Sequence, residues 1–300
     1  MVIGDPPEND MDAIMAVGGI DPIVLPAVLA AAALHAGWNT IVKARLEPIL
    51  AMTLVVISCG LVASPFLIGF GPPRAAAWPY VIGSILLHLV YYVVLAEAYR
   101  RAEMSQVYPI ARGSAPLLTA LASVTIVGEA LSRYALIGIL TLGGGILLLA
   151  LHRRRAQAPR DPIAIGFAIA TGLVISGYTI VDGLGARTAG DPNAYAATLF
   201  VIDALPLPLL ILYSRGPTAF IAMRRYVGQG FLGDAMALAA YWIAIWAMTR
   251  APIAVVAALR ETSVLFSAIL ATIVLKEAFA PIRGIAAVAI FAGIVLIRWQ

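Results

Sequence analysis

The chain has 300 residues, of which 62% are hydrophobic and only 12% charged, with a net charge of +4 and a mean hydropathy of +0.94. So little polar surface cannot cover a soluble domain of this size, so lipid must be the solvent for most of the molecule. The basic balance does not point to nucleic acid, because the arginines stand at the ends of apolar runs, where they anchor and orient a membrane chain. The single cysteine, Cys59, rules out an intrachain disulfide and a thiolate metal cluster.

Residues 1–21 carry Asp5, Glu8, Asp10, Asp12 and Asp21 and no basic residue, the reverse of a signal peptide's basic start. They are expected to form an acidic tail. Apolar spans follow at about 22–42, 48–70, 78–101, 104–127, 133–151, 162–187, 192–214, 228–250, 251–275 and 281–298. Each is close to the roughly 20 residues that cross a bilayer. Helices are required, since a span in lipid must satisfy its own backbone and no period-2 alternation is present. The expected fold is an all-α membrane bundle of ten transmembrane helices.

The sequence repeats itself. Gly128-Glu129-Ala130 and the glycines of the fifth span recur around Glu277-Ala278, and the same shift carries Arg112 onto Arg260, Ser114 onto Thr262 and Gly145 onto Gly293. Thr40-Ile41-Val42 resembles Thr179-Ile180-Val181 at a slightly different shift, with Lys43 opposite Asp182. The expected organisation is a five-helix repeat over 22–151, a basic linker at 152–161 and a second repeat over 162–300. Two odd halves joined by a short loop are inverted relative to each other, the construction with which secondary transporters alternate access. Lys43, Arg45, Arg100, Arg101, Arg153, Arg154, Arg155, Arg160, Arg215, Arg224, Arg225, Lys276 and Arg283 fall after odd-numbered spans, against Arg74, Arg133, Arg187, Arg250 and Arg298 on the other side. The positive-inside rule then places both termini outside an inner membrane.

Tyr108-Pro109-Ile110-Ala111-Arg112-Gly113-Ser114-Ala115-Pro116, running on to Gly128-Glu129-Ala130-Leu131 and a glycine-studded fifth helix, resembles the drug/metabolite transporter superfamily and its ten-helix EamA-type exporters. Within that group it looks like the YddG-type exporters of aromatic and other neutral amino acids. The resemblance implies alternating access, and termini in the cytoplasm, opposite to the charge count.

A charge at mid-bilayer costs at least about 2.5–3.5 kcal/mol, so each needs a partner, a wet cavity or a ligand. Arg112 and Arg260 fall near mid-span and are equivalent by the repeat. Pro109, Gly113 and Pro116 predict a broken helix around Arg112, where a carboxylate would be held bidentately. The alternative is that internal acids hold the arginines: Glu261 for Arg260, and Glu97, Asp203 or Asp234 for Arg112. His88, Tyr91, Tyr92 and Tyr99 share a face of the third helix, and with Tyr108, Tyr178, Tyr241, Trp242 and Trp246 they suggest an aromatic cavity wall, although an interfacial belt also uses such residues. Trp38 and Asn39 add a polar face to the first helix, and His35 suits interhelical glue. Asp203, Asp234, Glu97 and His88 are candidates for charge balance or proton coupling. Glu129 and Glu277 suit a cap or an ion pair, Glu129 with Arg133.

No HExxH, GxSxG or clustered His/Asp pattern marks an enzyme or a metal site, and no GxxxxGK[ST] motif marks an ATP-driven pump. No cofactor is expected. The partners expected are the lipid bilayer, a small solute and protons. A transporter of phosphorylated sugars or other organic anions, and an accessory structural membrane subunit, remain as alternatives.

Overall fold

Prolines open helices throughout the chain, at Pro48, Pro162, Pro192, Pro206 and Pro281. At a first helical position the missing N–H is one that has no intrahelical partner anyway. Asp161 and Asp191 precede two of them and accept hydrogen bonds from Ile163 N at 2.9 Å and Asn193 N at 2.8 Å, closing the exposed ends. The computed structural model describes residues 21–41, 47–102, 104–151, 161–224, 226–273 and 281–299. The acidic tail, the basic linker, Lys43, Lys276 and the Glu277-Ala278 motif lie outside them.

Among the described residues the helices are α1 Val24–Ile41, α2 Pro48–Phe70, α3 Trp78–Arg101, α4 Met104–Ala122, α5 Arg133–Leu151, α6 Pro162–Thr188, α7 Pro192–Asp203, α8 Pro206–Arg215, α9 Thr218–Arg224, α10 Val227–Met248, α11 Ile253–Arg260, α12 Ser263–Ile273 and α13 Pro281–Arg298. No strand occurs among these residues. The expectation of ten unbroken spans needs correction. Six described helical stretches are long and apolar enough to cross a bilayer, and Val24–Gly37, Arg133–Leu149 and Gly233–Met248 are shorter apolar pieces. The span expected at 192–214 bends at Ala204–Leu205 before Pro206, and the one expected at 251–275 is interrupted at Glu261–Thr262.

The helices pair across the two halves. α3 packs on α6, as α10 packs on α1; α4 packs on α6, as α11 and α12 pack on α1. The α2–α7 and α5–α13 contacts are their own counterparts under the same exchange. These paired contacts make a two-fold pseudosymmetric bundle. Apolar burial drives little helix association in lipid, so close packing of small residues must do it. At the α5–α13 crossing, a Cβ on Gly138 would lie 2.8 Å from Gly293 O, and one on Gly293 2.7 Å from Gly138 O.

Opposite faces of these helices present Leu61, Ile68, Leu86, Ile137, Leu173 and Val288 outward, where a lipid environment suits them. Inside, the two ends of the bundle differ. The end that carries the 71–77, 128–132, 188–192 and 249–252 connections is filled by Tyr195, Leu142, Met248, Ile253 and Ile297, all fully buried. We call it the sealed end. The other half of the bundle contains a cavity.

Candidate functional site: a charged, tyrosine-lined cavity

The cavity has a volume of about 370 Å³ and draws its walls from α1, α2, α3, α4, α6, α7, α10 and α11. It runs from Pro48 and Tyr99, near helix ends remote from the sealed end, inward to His88, Tyr178 and Tyr241. Arg112 and Arg260 both line it, and both are buried.

The interruption between α11 and α12 brings the two arginines together. Glu261 N and Thr262 N turn back onto Ala258 O and Leu259 O, each at 3.1 Å, so the backbone closes in a tight turn that presents the Glu261 carboxylate inward. Arg112 Nε stands 2.6 Å from Glu261 Oε2, an ion-pair contact along which the N–H does not point. Arg112 Nη2 also donates to Ser263 Oγ at 3.4 Å. Arg260 Nε is 3.9 Å from the other carboxylate oxygen and has no hydrogen-bond partner among the described residues. Two buried guanidiniums thus share one carboxylate, which leaves a positive charge in excess at the cavity wall. Each cation also faces a ring, Arg260 over Tyr241 at 5.0 Å and Arg112 over Tyr108 at 5.8 Å, where the negative π face offsets part of the cost of burial.

The expected helix break around Arg112 does not occur. α4 runs unbroken through Pro109 and Pro116. Gly113 serves close packing instead, since a Cβ there would lie 2.8 Å from Leu147 Cγ of α5. The break is in the other half, at Glu261, where no proline marked it. The acid held by Arg112 also differs from the ones expected. Glu97 lies toward the end of α3 and pairs with Arg101 at 2.7 Å and Arg100 at 3.5 Å, so it contributes nothing to the cavity. Asp203 accepts from the Tyr92 hydroxyl at 2.7 Å. Asp234 is buried beside Cys59, whose thiol donates to the Asp234 backbone carbonyl at 3.4 Å, and it is not part of the lining.

His88 stacks on Tyr178 with ring centroids 4.3 Å apart, and Tyr241 meets both rings edge-on at 6.0 Å. Tyr91 meets Tyr178 at 5.7 Å and Tyr92 at 5.3 Å. Together with Tyr99 and Tyr108 these rings form one aromatic wall drawn from both halves. The tryptophans expected beside them stand elsewhere. Trp242 donates to Asn193 Oδ1 at 2.9 Å and stacks on Phe200, while Trp246 lies under the Arg250 guanidinium at 5.0 Å. The side chains of Trp38 and Asn39 are outside the described residues.

Sequence reasoning passed over three members of the site. His35, read as glue, lines the cavity. Glu261 was matched to its neighbour Arg260, yet its closest cation is Arg112 from the other half. Asp182, noticed only as a repeat marker, is fully buried, and its two carboxylate oxygens accept from Tyr195 and Tyr241 hydroxyls. A lone acid inside the apolar run 162–187 was signal enough to single it out.

Glu129 is buried at the sealed end, where its partner is Arg187 and not Arg133. Ser123 donates to one of its oxygens and Ile253 N to both, at 2.9 and 3.1 Å.

Comparison with known proteins agrees with the duplicated fold. A sequence model of an EamA-like transporter family matches residues 23–151 and again 162–299. A protein of known crystal structure is similar with a TM-score of 0.73, at 19% identity, over 91% of this chain and 97% of its own. No curated protein matches the chain.

Proposed function

Because the chain belongs to the EamA-like transporter family, we propose that it carries neutral and aromatic amino acids across an inner membrane, in the direction of export, by alternating access at the tyrosine-lined cavity. The observation that carries this reading is the pair of buried guanidiniums, Arg112 and Arg260, sharing the single carboxylate of Glu261. A solute carboxylate would neutralise the excess charge and supply acceptors to Arg260 Nε, a donor otherwise without one. The rings of Tyr91, Tyr178 and Tyr241 supply flat apolar contact for an aromatic side chain. A volume of about 370 Å³ lies in the range of roughly 300–1,000 Å³ that suits a small ligand.

The test is uptake of a labelled amino-acid panel into liposomes holding the purified protein, with Arg112→Ala and Arg260→Ala beside the parent. Saturable flux of neutral or aromatic amino acids, lost in both variants, is expected. A folded protein that moves none of them above empty liposomes overturns the amino-acid reading. The same excess positive charge supports a second reading, a phosphorylated sugar or other organic anion, and those solutes form the second panel.

A further inference from the structure

The family and the proposed solute leave one cluster unexplained. Two carboxylates, Asp182 of α6 and Asp203 of α7, are buried with no lysine or arginine among the described residues within ion-pair distance of either, and one imidazole lies within electrostatic reach of both. We propose that Asp182, His88 and Asp203 form a proton-binding site through which transport is coupled to a proton gradient. The proposal rests on the transporter reading for its flux measurement alone.

The geometry argues for a movable proton. The described neighbours that contact Asp182 through hydrogen bonds are neutral hydroxyls: Tyr195 donates to one oxygen at 3.0 Å, Tyr241 to the other, and Ser84 is also in reach. Hydroxyls offset the charge of a buried carboxylate less than a guanidinium does, so Asp182 is a group whose charge the described protein leaves without a cation. Asp203 is in the same position with one phenol, Tyr92 at 2.7 Å. His88 sits between their partners, with centroids 6.0 Å from Tyr241 and 6.2 Å from Tyr92. Its Nδ1 faces Ser84 O at 3.0 Å and Ser84 Oγ at 3.1 Å. The contact with a carbonyl fixes Nδ1 as a donor.

The groups facing this cluster are Ser84, His88 and Tyr92 from α3, Tyr178 from α6, Tyr195 from α7, Tyr241 from α10 and Cys59 from α2. Arg260 reaches it through the Tyr241 ring and through Tyr178.

Position gives the site its direction. Asp203 and His88 line the cavity, whereas Asp182 does not and lies behind Tyr241 toward the sealed end. In this conformer Asp203 and His88 face the cavity. Exchange of roles between the inverted halves would expose Asp182 from the opposite side, so that a proton taken up at one face leaves at the other.

The experiment measures labelled amino-acid flux in proteoliposomes with and without an imposed pH gradient, for the parent, Asp182→Asn, Asp203→Asn and Tyr195→Phe. The readout is the ratio of the two fluxes. A several-fold ratio in the parent that falls to one in both aspartate variants, and that survives in Tyr195→Phe with its pH midpoint displaced, is expected. A parent ratio of one despite robust flux, or an Asp182→Asn ratio equal to the parent's, overturns the proposal. If no amino acid is carried, the solute reading fails by itself, and infrared difference spectra of the purified protein between acidic and alkaline buffer decide the proton site. A protonated-carboxyl band that titrates in the parent and is lost in Asp182→Asn supports it. No titrating band, or one unchanged in the variant, overturns it.

Discussion

Glu129 and Arg187 meet at 2.6 Å at the sealed end and tie four segments of the chain into one knot. The Arg187 guanidinium also donates to Met248 O at 2.8 Å and Ala251 O at 3.0 Å, while the carboxylate accepts from the first N–H of α11. Gly128, at φ 78°, turns the chain so that Glu129 comes next after α4 and its π-helical turn at Ser123–Val127. A carboxylate from the first half therefore caps a helix of the second and satisfies carbonyl-rich loop backbone through its arginine.

Removing either partner strands the other in a buried site. Arg187→Gln is expected to destabilise the protein by about 3 kcal/mol, the range for breaking one member of a buried pair. Denaturation in mixed micelles of the two single variants and of Glu129→Gln/Arg187→Gln measures it. The double variant is expected to lose less than the sum of the single losses, and strict additivity would show that the pair is not coupled.

Glu261→Gln removes the carboxylate that both arginines share. With two uncompensated guanidiniums at the cavity, the KM for a carboxylate-bearing solute is expected to fall about tenfold, from the roughly 1.5–3 kcal/mol carried by a charge-assisted hydrogen bond. Maximal flux falls with it, because a tightly held solute leaves slowly. A KM that is unchanged or higher, measured on protein of normal mobility in gel filtration, would place the solute's charge elsewhere.

At the α5–α13 crossing the obstacle to a side chain is backbone, which cannot swing away. Gly293→Ala and Gly138→Ala are each expected to cost about 1–3 kcal/mol, as overpacking does. Gly144→Ala, on the same helix as Gly138 but with nothing within 4 Å of the added Cβ, is the matched control and is expected to be neutral or slightly stabilising. Equal losses in all three would contradict the close crossing.

At the cavity end of the bundle Glu47 receives two hydrogen bonds from Arg215, at 2.5 and 2.8 Å. The Arg215 hydrogen bond holds the Glu47 carboxyl below its ordinary range, against a smaller opposing effect of burial. A lowered folded-state value means that the stabilisation is present above the ordinary carboxylate range, near pH 4.3, and is lost as pH falls through the lowered value. Both side chains are more than a third exposed, so the contribution is below about 1 kcal/mol. The melting temperature of Glu47→Gln is expected to trail the parent slightly at neutral pH and to converge with it in acid.

Much of the fold was legible because its physics is one-dimensional. A run of about twenty apolar residues in lipid has to be a helix, so the positions of the spans followed from composition and from punctuation such as Asp161-Pro162 and Asp191-Pro192. The internal match of Arg112 to Arg260 likewise announced the paired halves, since aligned polar residues in apolar helices are hard to obtain by chance. The same one-dimensional logic misplaced the break. It put the break at Pro109 and Pro116, where a continuous helix tolerates both prolines, and passed over Glu261–Thr262.

Sequence by itself determined that the chain is a duplicated helical membrane protein and which few residues bear charge inside it. Which charge faces which was decided only by the tertiary structure. Arg112 and Glu261 are far apart in the chain and belong to different halves. Asp182 meets Tyr195 and Tyr241 across helices that no periodicity connects. Helical periodicity states the face on which a side chain stands, whereas the close approach of small residues such as Gly138 and Gly293 fixes the neighbour that face will meet.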